Sequence, residues 1–239
     1  MPSLGERTVR DLASRNPAAA RIFEKFGIDY CCGGERSLAQ ACSAAKVSIR
    51  EVADALEAPP SPQREDRDWQ NGSLAELAEY IVERHHRFAR QEIQRLIPLF
   101  ARVVGAHGQN HAELEQIQSS FQALAEELTL HLIKEERMLF PYIEQLESAV
   151  CCGGRLALPM FGTVQNPVRM MAMEHDSAGE LLRRMRDLAN GYALPPDACV
   201  SFKELYQALQ EFEADLHQHI HLENNILFPR AVNLEAQCP

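Results

Sequence analysis

Two stretches of this chain repeat one chemically loaded pattern. His131-Leu132-Ile133-Lys134-Glu135-Glu136-Arg137-Met138-Leu139-Phe140-Pro141 and His219-Ile220-His221-Leu222-Glu223-Asn224-Asn225-Ile226-Leu227-Phe228-Pro229 both read H-x-x-x-E-x-x-x-L-F-P, 88 residues apart. On a helix, side chains at i and i+4 leave from one face. Upstream, His85 and His175 precede their partner patterns by 46 and 44 residues. Each half therefore offers one helix with a lone imidazole, then one with an imidazole and a carboxylate. Imidazole and carboxylate together are the ligand set of a metal centre.

The elements that must position these groups are long amphipathic helices. Ser73-Leu74-Ala75-Glu76 is a capping box, and Leu74, Leu77, Ile81, His85, Phe88, Glu92 and Leu99 follow helical spacing to about Val104. A second helix is expected from about His111 to Leu146, with the stripe Phe121, Leu124, Leu128, His131, Glu135, Met138 and Tyr142. A third opens at Asn166-Pro167 and ends at Gly191, with Val168, Met171, His175, Ala178, Leu182 and Met185. The fourth runs from about Cys199 to Val232, with Leu205, Leu209, Phe212, Leu216, His219, Glu223 and Leu227. Four such helices predict an all-α four-helix bundle. Few residues suggest strands, apart from a short stretch at Val164.

Four His and both Glu of the repeat fall on those apolar stripes and face a common axis. An ionised Glu buried there costs several kcal/mol unless paired or bound to metal. A pair of metal ions, bridged by the carboxylates and capped by imidazoles, is the natural compensator. The ligand types suit iron better than a thiolate zinc site would. A single His on an apolar stripe is ordinarily a core residue; six ligand types in two-fold register are not.

Other polar residues are read as subsidiary. His86 is turned about 100° from His85 and is expected outside the ligand set. His217 and His221 point away from the apolar stripe. His107 and His111 flank a break at Gly105-Ala106-His107-Gly108, as a solvated loop or a gate. Glu127, one turn before His131, and Glu174, beside His175, could orient an imidazole. The Leu-Phe-Pro tails read as packing and helix-end signals.

The 239 residues are 46% hydrophobic and 24% charged, which excludes a disordered or fibrous chain. No apolar run spans a membrane, and the net charge of -10 disfavours nucleic acid. The N-terminal Met1-Pro2-Ser3-Leu4-Gly5-Glu6 carries no secretory pattern. With seven cysteines in no framework spacing, a cytoplasmic protein is expected. Residues 1–57 read as a small helical unit: Thr8–Arg15, Asn16-Pro17 to Phe26, Ser37–Lys46, and a last helix from Ser48 to Glu57. Residues 58–72 are a Pro-rich, charged linker, and 73–239 the bundle. A unit of some 57 residues has a marginal core, so it is expected to lean on the bundle or on a second copy in a homodimer.

The loop Asp29-Tyr30-Cys31-Cys32-Gly33-Gly34, with Glu174-His175-Asp176 and His219-x-x-x-Glu223-Asn224-Asn225, resembles the repair-of-iron-centres family. The resemblance covers roughly residues 8–57 and 73–232. It implies a hemerythrin-like bundle holding a non-haem centre of two iron ions. His85, His131, His175 and His219 would be terminal ligands, with Glu135 and Glu223 bridging. It also implies repair of iron–sulfur clusters damaged by nitric oxide or oxidants, by supplying iron to damaged or apo iron–sulfur proteins. The alternatives are a di-iron nitric oxide or peroxide reductase, and a hemerythrin-like oxygen or redox sensor. Oxygen-carrying hemerythrins use five His; one imidazole fewer suits iron donation or nitric oxide binding better than oxygen carriage.

Cys31 and Cys32 are adjacent, with Cα atoms about 3.8 Å apart. That is below the usual disulfide range, so free thiols are expected, handling iron or nitric oxide in the family reading. A second Cys151-Cys152-Gly153-Gly154 has no counterpart in the family pattern; oxidation is expected to crosslink it with the first.

Overall fold

The computed structural model describes residues 4–16, 19–30, 34–57, 69–152 and 159–237. Pro17, Cys31, Cys32, Gly33, the linker stretch 58–68, Gly153, Gly154 and Cys238 lie outside the described residues. Every named element is helical, and the only β-type pairing among the described residues is a single bridge between Thr8 and Ser37.

The N-terminal unit holds a short 3-10 turn, Leu4–Glu6, and helices α1 (Val9–Arg15), α2 (Ala19–Lys25), α3 (Leu38–Ala45) and α4 (Ile49–Glu57). The Thr8 hydroxyl accepts from Asp11 N to cap α1, and Ser37 with Gln40 forms the capping box of α3. Gly27, at φ +64°, turns the chain after α2 in a conformation that costs a glycine little. Val9, Leu12, Phe23, Tyr30, Leu38 and Val52 form a separate small core.

Four long rods follow. α5 runs Leu74–Ile81, Val82–His86 and Arg87–His107; α6 runs Glu113–Lys134, Glu135–Leu139 and Phe140–Cys152. α7 is Gln165–Leu188, and α8 runs Val200–Leu222, Glu223–Leu227 and Phe228–Glu235. The middle segments of α5, α6 and α8 are π-turns, in which Arg87 N reaches Val82 O, Phe140 N reaches Glu135 O and Phe228 N reaches Glu223 O. The reading of the Leu-Phe-Pro tails as helix-end signals is corrected, because both rods continue through Pro141 and Pro229, past the expected ends at Leu146 and Val232. Proline in an ordinary helix clashes with the carbonyl four residues back; here each proline directly follows a widened turn that relaxes that geometry. The Leu and Phe of each tail are buried packing residues.

The bundle core is split in two. One cluster, with Leu96, Phe100, Phe121, Leu124, Leu182, Phe202 and Phe212, fills one end. The other, with Leu77, Ile81, Phe140, Ile143, Met171, Leu227 and Phe228, fills the opposite end. A polar belt at positions 85–86, 131–135, 175 and 219–223 separates them.

The repeat also governs the scaffold. Glu147, at the end of α6, takes Ser73 Oγ at 2.7 Å, Leu74 N at 2.7 Å and Ala75 N at 3.0 Å, closing the N-terminus of α5. Glu235, 88 residues later, accepts from Tyr142 Oη at 2.6 Å, from Thr163 Oγ1 and from Val164 N at 2.9 Å, closing the N-terminus of α7. Val164 is thus a helix-start residue rather than strand. Each carboxylate meets orphan N–H groups and the positive end of a helix dipole.

Candidate metal centre

Glu135 and Glu223 are fully buried on facing rods, and each divides its two oxygens between two pairs of imidazoles. In one group, His86 Nε2 and His219 Nε2 face each other at 3.2 Å. Glu135 Oε2 lies 3.4 Å from His86 Nε2, and Glu223 Oε1 lies 3.0 Å from His219 Nε2. In the other, His131 Nε2 and His175 Nε2 stand 3.0 Å apart. Glu135 Oε1 lies 3.3 Å from His131 Nε2, and Glu223 Oε2 lies 3.1 Å from His175 Nε2. Each group gathers its four candidate ligand atoms within 4.8 Å of one another. Every residue involved is buried.

Four of the six residues expected to converge come from the H-x-x-x-E repeats, and His175 joins them. His85 does not; the structure places His86 there instead. The cause is the π-turn at Val82–His86. It adds one residue to a turn, so the inward stripe Leu74, Leu77, Ile81 resumes at position 86 rather than 85. From there the buried positions run Ala89, Ile93, Leu96, Phe100 and Val103. That downstream stripe, followed backwards, was the sequence signal for His86. His85 is buried too, but its Nδ1 meets Asp215 Oδ2 at 3.0 Å and its ring stacks on that of His219.

Outer contacts fix three of the four converging imidazoles. His86 Nδ1 lies 2.7 Å from Glu136 Oε1, His131 Nδ1 2.8 Å from Glu174 Oε2, and His175 Nδ1 2.9 Å from Asn224 Oδ1. Such partners set the tautomer and leave Nε2 free for a metal. Arg90 and Lys134 neutralise Glu136 and Glu174 in turn. Glu174 therefore occupies the orienting position that its sequence neighbourhood suggests, whereas Glu127 accepts from Ser177 Oγ at 3.0 Å and reaches no imidazole. Asn224 belongs to the motif that carries the resemblance, but no orienting role follows from the sequence for it or for Glu136, since exposed-looking helix residues beside a ligand carry no pattern of their own.

The electrostatics favour added positive charge. Burial works against a proton on His86, yet hydrogen bonds to Glu135 and Glu136 outweigh it and push its pKa up to about 11. Burial likewise opposes charge on His131, while Glu135 beside it raises the pKa to about 10. Glu174 is drawn down to about 2, chiefly by its hydrogen bond from His131 and then by Lys134. Both Glu135 oxygens and Glu223 Oε2 are buried 3.1 to 3.4 Å from imidazole nitrogens, in ion-pair range but without a well-aligned hydrogen bond among the described residues. Two buried carboxylates whose oxygens meet nothing but imidazole nitrogens, three of them without a well-formed hydrogen bond, are a poor structural motif and a good cation site. Hard carboxylate oxygens with borderline imidazoles suit divalent first-row metals, iron among them. The residues fit the two-metal centre that a hemerythrin-like bundle implies.

A small cavity of about 20 Å³ lies against His131, His175 and His219, bounded by Glu127, Leu128, Glu174, Ala178, Leu216 and Ile220. The remaining histidines serve elsewhere. His221 and His217 pack edge-on to Tyr30 of the N-terminal unit, at 5.3 and 6.4 Å between ring centres. His111 is tied to Glu113 and Asp197, and with His107 packs on Phe202, far along the bundle from the belt. Cys151 and Cys152 are exposed free thiols at the end of α6. The Cys31 and Cys32 thiol site, and any crosslink from it, lie outside the described residues.

Fold and site together define a hemerythrin-type bundle with a His/Glu metal-binding site. Residues 77–231 match the hemerythrin HHE cation binding domain, and residues 5–59 match ScdA_N, described as a domain of unknown function (DUF542). A Haemophilus influenzae protein named "Probable iron-sulfur cluster repair protein" is 35% identical over 233 residues, covering 97% of this chain and 99% of the relative. The iron-sulfur cluster repair protein YtfE of Escherichia coli is 34% identical over 227 residues, covering 95% and 97%. YtfE of Shigella boydii matches to the same extent. The chain belongs to this family of hemerythrin-like iron–sulfur cluster repair proteins. No helix among the described residues is long and apolar enough to cross a membrane.

Proposed function

We propose that this protein repairs iron–sulfur clusters damaged by nitrosative or oxidative stress in the cytoplasm, by holding two irons and passing iron to damaged or apo iron–sulfur proteins. The observation that carries the reading is the division of Glu135 and Glu223, each with one oxygen toward the His86/His219 pair and one toward the His131/His175 pair. Iron supplies Lewis-acid and one-electron chemistry when bound there. The chain's own residues hold and release it. Four imidazoles, three of them locked by Glu136, Glu174 and Asn224, aim Nε2 inward. The shared carboxylates would be the natural release points, because a proton on either would withdraw a donor from both imidazole pairs.

The test is reactivation of a cluster-depleted dehydratase by the iron-loaded protein under anaerobic conditions. Recovery of client activity by the wild type, and none by Glu135→Ala or Glu223→Ala, is expected. Equal recovery by those variants overturns the reading. The cavity beside His131 and His175 favours a second reading, a di-iron nitric oxide or peroxide reductase, since its size admits a water-sized molecule. Turnover of nitric oxide with an electron donor, faster than with free iron, would select that reading.

A further inference from the structure

We propose that the N-terminal unit controls how firmly the metal centre holds its ions, through a clasp that Arg10 closes on the widened turn Glu223–Leu227 of α8. The proposal rests on the reading of the His/Glu cluster as a metal centre.

Three consecutive residues at the start of that turn face three different tasks. Glu223 shares its oxygens between the two imidazole pairs. Asn224 Oδ1 accepts from His175 Nδ1 at 2.9 Å and so orients that ligand. Asn225 faces the N-terminal unit: its Nδ2 donates to Tyr30 O at 3.1 Å and lies 2.7 Å from His221 Nδ1.

Arg10, on α1 of the same N-terminal unit, closes on this turn. Its Nε donates to Asn225 Oδ1 at 2.6 Å, and its Nη2 donates to the backbone oxygen of Asn224 at 2.8 Å. Glu35 neutralises the remaining nitrogen. The guanidinium is a planar fork, and here it takes one acceptor from each of two adjacent residues. The fit is close around it. A Cβ on Gly34 would meet Tyr30 O at 3.0 Å, Arg10 Cβ at 3.1 Å and Asn225 Oδ1 at 3.6 Å. Tyr30 is buried in this contact and lays its ring edge against His221.

The turn is therefore held from both ends of its chemistry. A π-turn is less favourable than the α-helix around it, and the clasp restrains the backbone that carries Glu223 and Asn224. Arg10 acts as a positioning residue: it touches no ligand atom, yet it fixes the residue that orients His175 and the neighbour of a shared carboxylate. Undocking the N-terminal unit removes that restraint and frees iron to leave.

The experiment follows the rate at which iron-loaded full-length protein surrenders iron to a coloured ferrous chelator without oxygen. Bound stoichiometry is measured first, and far-ultraviolet circular dichroism checks the fold. Arg10→Ala is expected to release iron on the order of tenfold faster with unchanged stoichiometry, the scale of losing an outer contact at a metal site. Arg10→Lys, a point charge that cannot fork, is expected between the two. Arg7→Ala, which loses only a pair with Asp11 inside the N-terminal unit, is expected to match wild type. Asn225→Leu cuts the same contact from the bundle side and leaves the N-terminal sequence intact, so the test survives an unstable Arg10→Ala. The double variant is expected to speed release by clearly less than the product of the two single effects, because the Arg10 Nε–Asn225 Oδ1 contact is lost in both singles. A wild-type release rate in the double variant, or acceleration by the full product, overturns the clasp. A wild-type protein that binds no iron overturns the metal-centre reading instead.

Discussion

The Nε2 atoms of His86 and His219 stand 3.2 Å apart, although the residues come from the first and last rods of the bundle. His85, the neighbour of His86, turns its Nδ1 to Asp215 instead. His86→Ala is therefore expected to weaken metal binding by at least the roughly 100-fold that loss of an outer partner can cost. His85→Ala is expected to cost less than about tenfold in affinity. Anaerobic titration with ferrous ion compares the two; the reverse order would return His85 to the ligand set.

Removing metal should also loosen the fold. Burial pushes the pKa of both Glu135 and Glu223 up, and Glu223 adds to it at Glu135, while the surrounding imidazoles hold both carboxyls below the ordinary value. A ligand at 100 times its Kd adds about 2.7 kcal/mol. For a chain of this size that corresponds to a Tm shift of roughly 5–10 °C. Calorimetry with and without a chelator measures it, and coincident melting curves would contradict the prediction.

The outer carboxylates should separate by whom they touch. Glu174→Ala removes the partner of His131 Nδ1 and is expected to lower metal affinity roughly 10- to 100-fold. Glu127→Ala loses only a surface contact with Ser177 and is expected to leave affinity unchanged. Equilibrium competition with a chelator of known affinity reads both.

The end carboxylates give a pH signature away from the metals. Burial pushes the Glu147 pKa up, but the Ser73 hydroxyl and the Leu74 and Ala75 N–H groups hold it below the ordinary value of 4.5. Glu235 is held below the same value by Thr163, Tyr142 and Val164 N, against its burial. A carboxyl depressed in the folded state stabilises fully above its unfolded pKa and loses that contribution as pH falls through the folded value. Glu147→Gln and Glu235→Gln should each cost about 1 kcal/mol at pH 7, the scale of a helix cap. The difference from wild type should shrink as pH drops below 4.5. Urea titrations at pH 7 and pH 3 test this; a cost independent of pH would point to packing.

Most of the fold was legible because amphipathic periodicity is local. Stripes such as Phe121, Leu124 and Leu128 mark a helix without knowledge of its neighbours. The H-x-x-x-E pairs were legible for the same reason, since four residues on a helix share a face. A constant 3.6-residue period points to His85 rather than His86, because nothing in Val82-Glu83-Arg84-His85-His86 announces a widened turn by composition. The break in spacing between Ile81 and the later series Ala89, Ile93, Leu96 was the only trace. Asn224 and Asn225 stand in a recognisable motif, but their tasks depend on His175, Arg10 and Tyr30, all distant in sequence, and no local pattern encodes such a meeting.

The duplication has one further consequence, for assembly. His86 and His131 come from the N-terminal half of the bundle, His175 and His219 from the C-terminal half, and each half supplies one of the two acids. Each imidazole pair is mixed, His86 with His219 and His131 with His175. A polypeptide severed between the halves would leave two fragments, each owning three donors but neither owning a complete pocket. Cargo could be gripped only after the fragments had reassociated, so occupancy would report tertiary completeness.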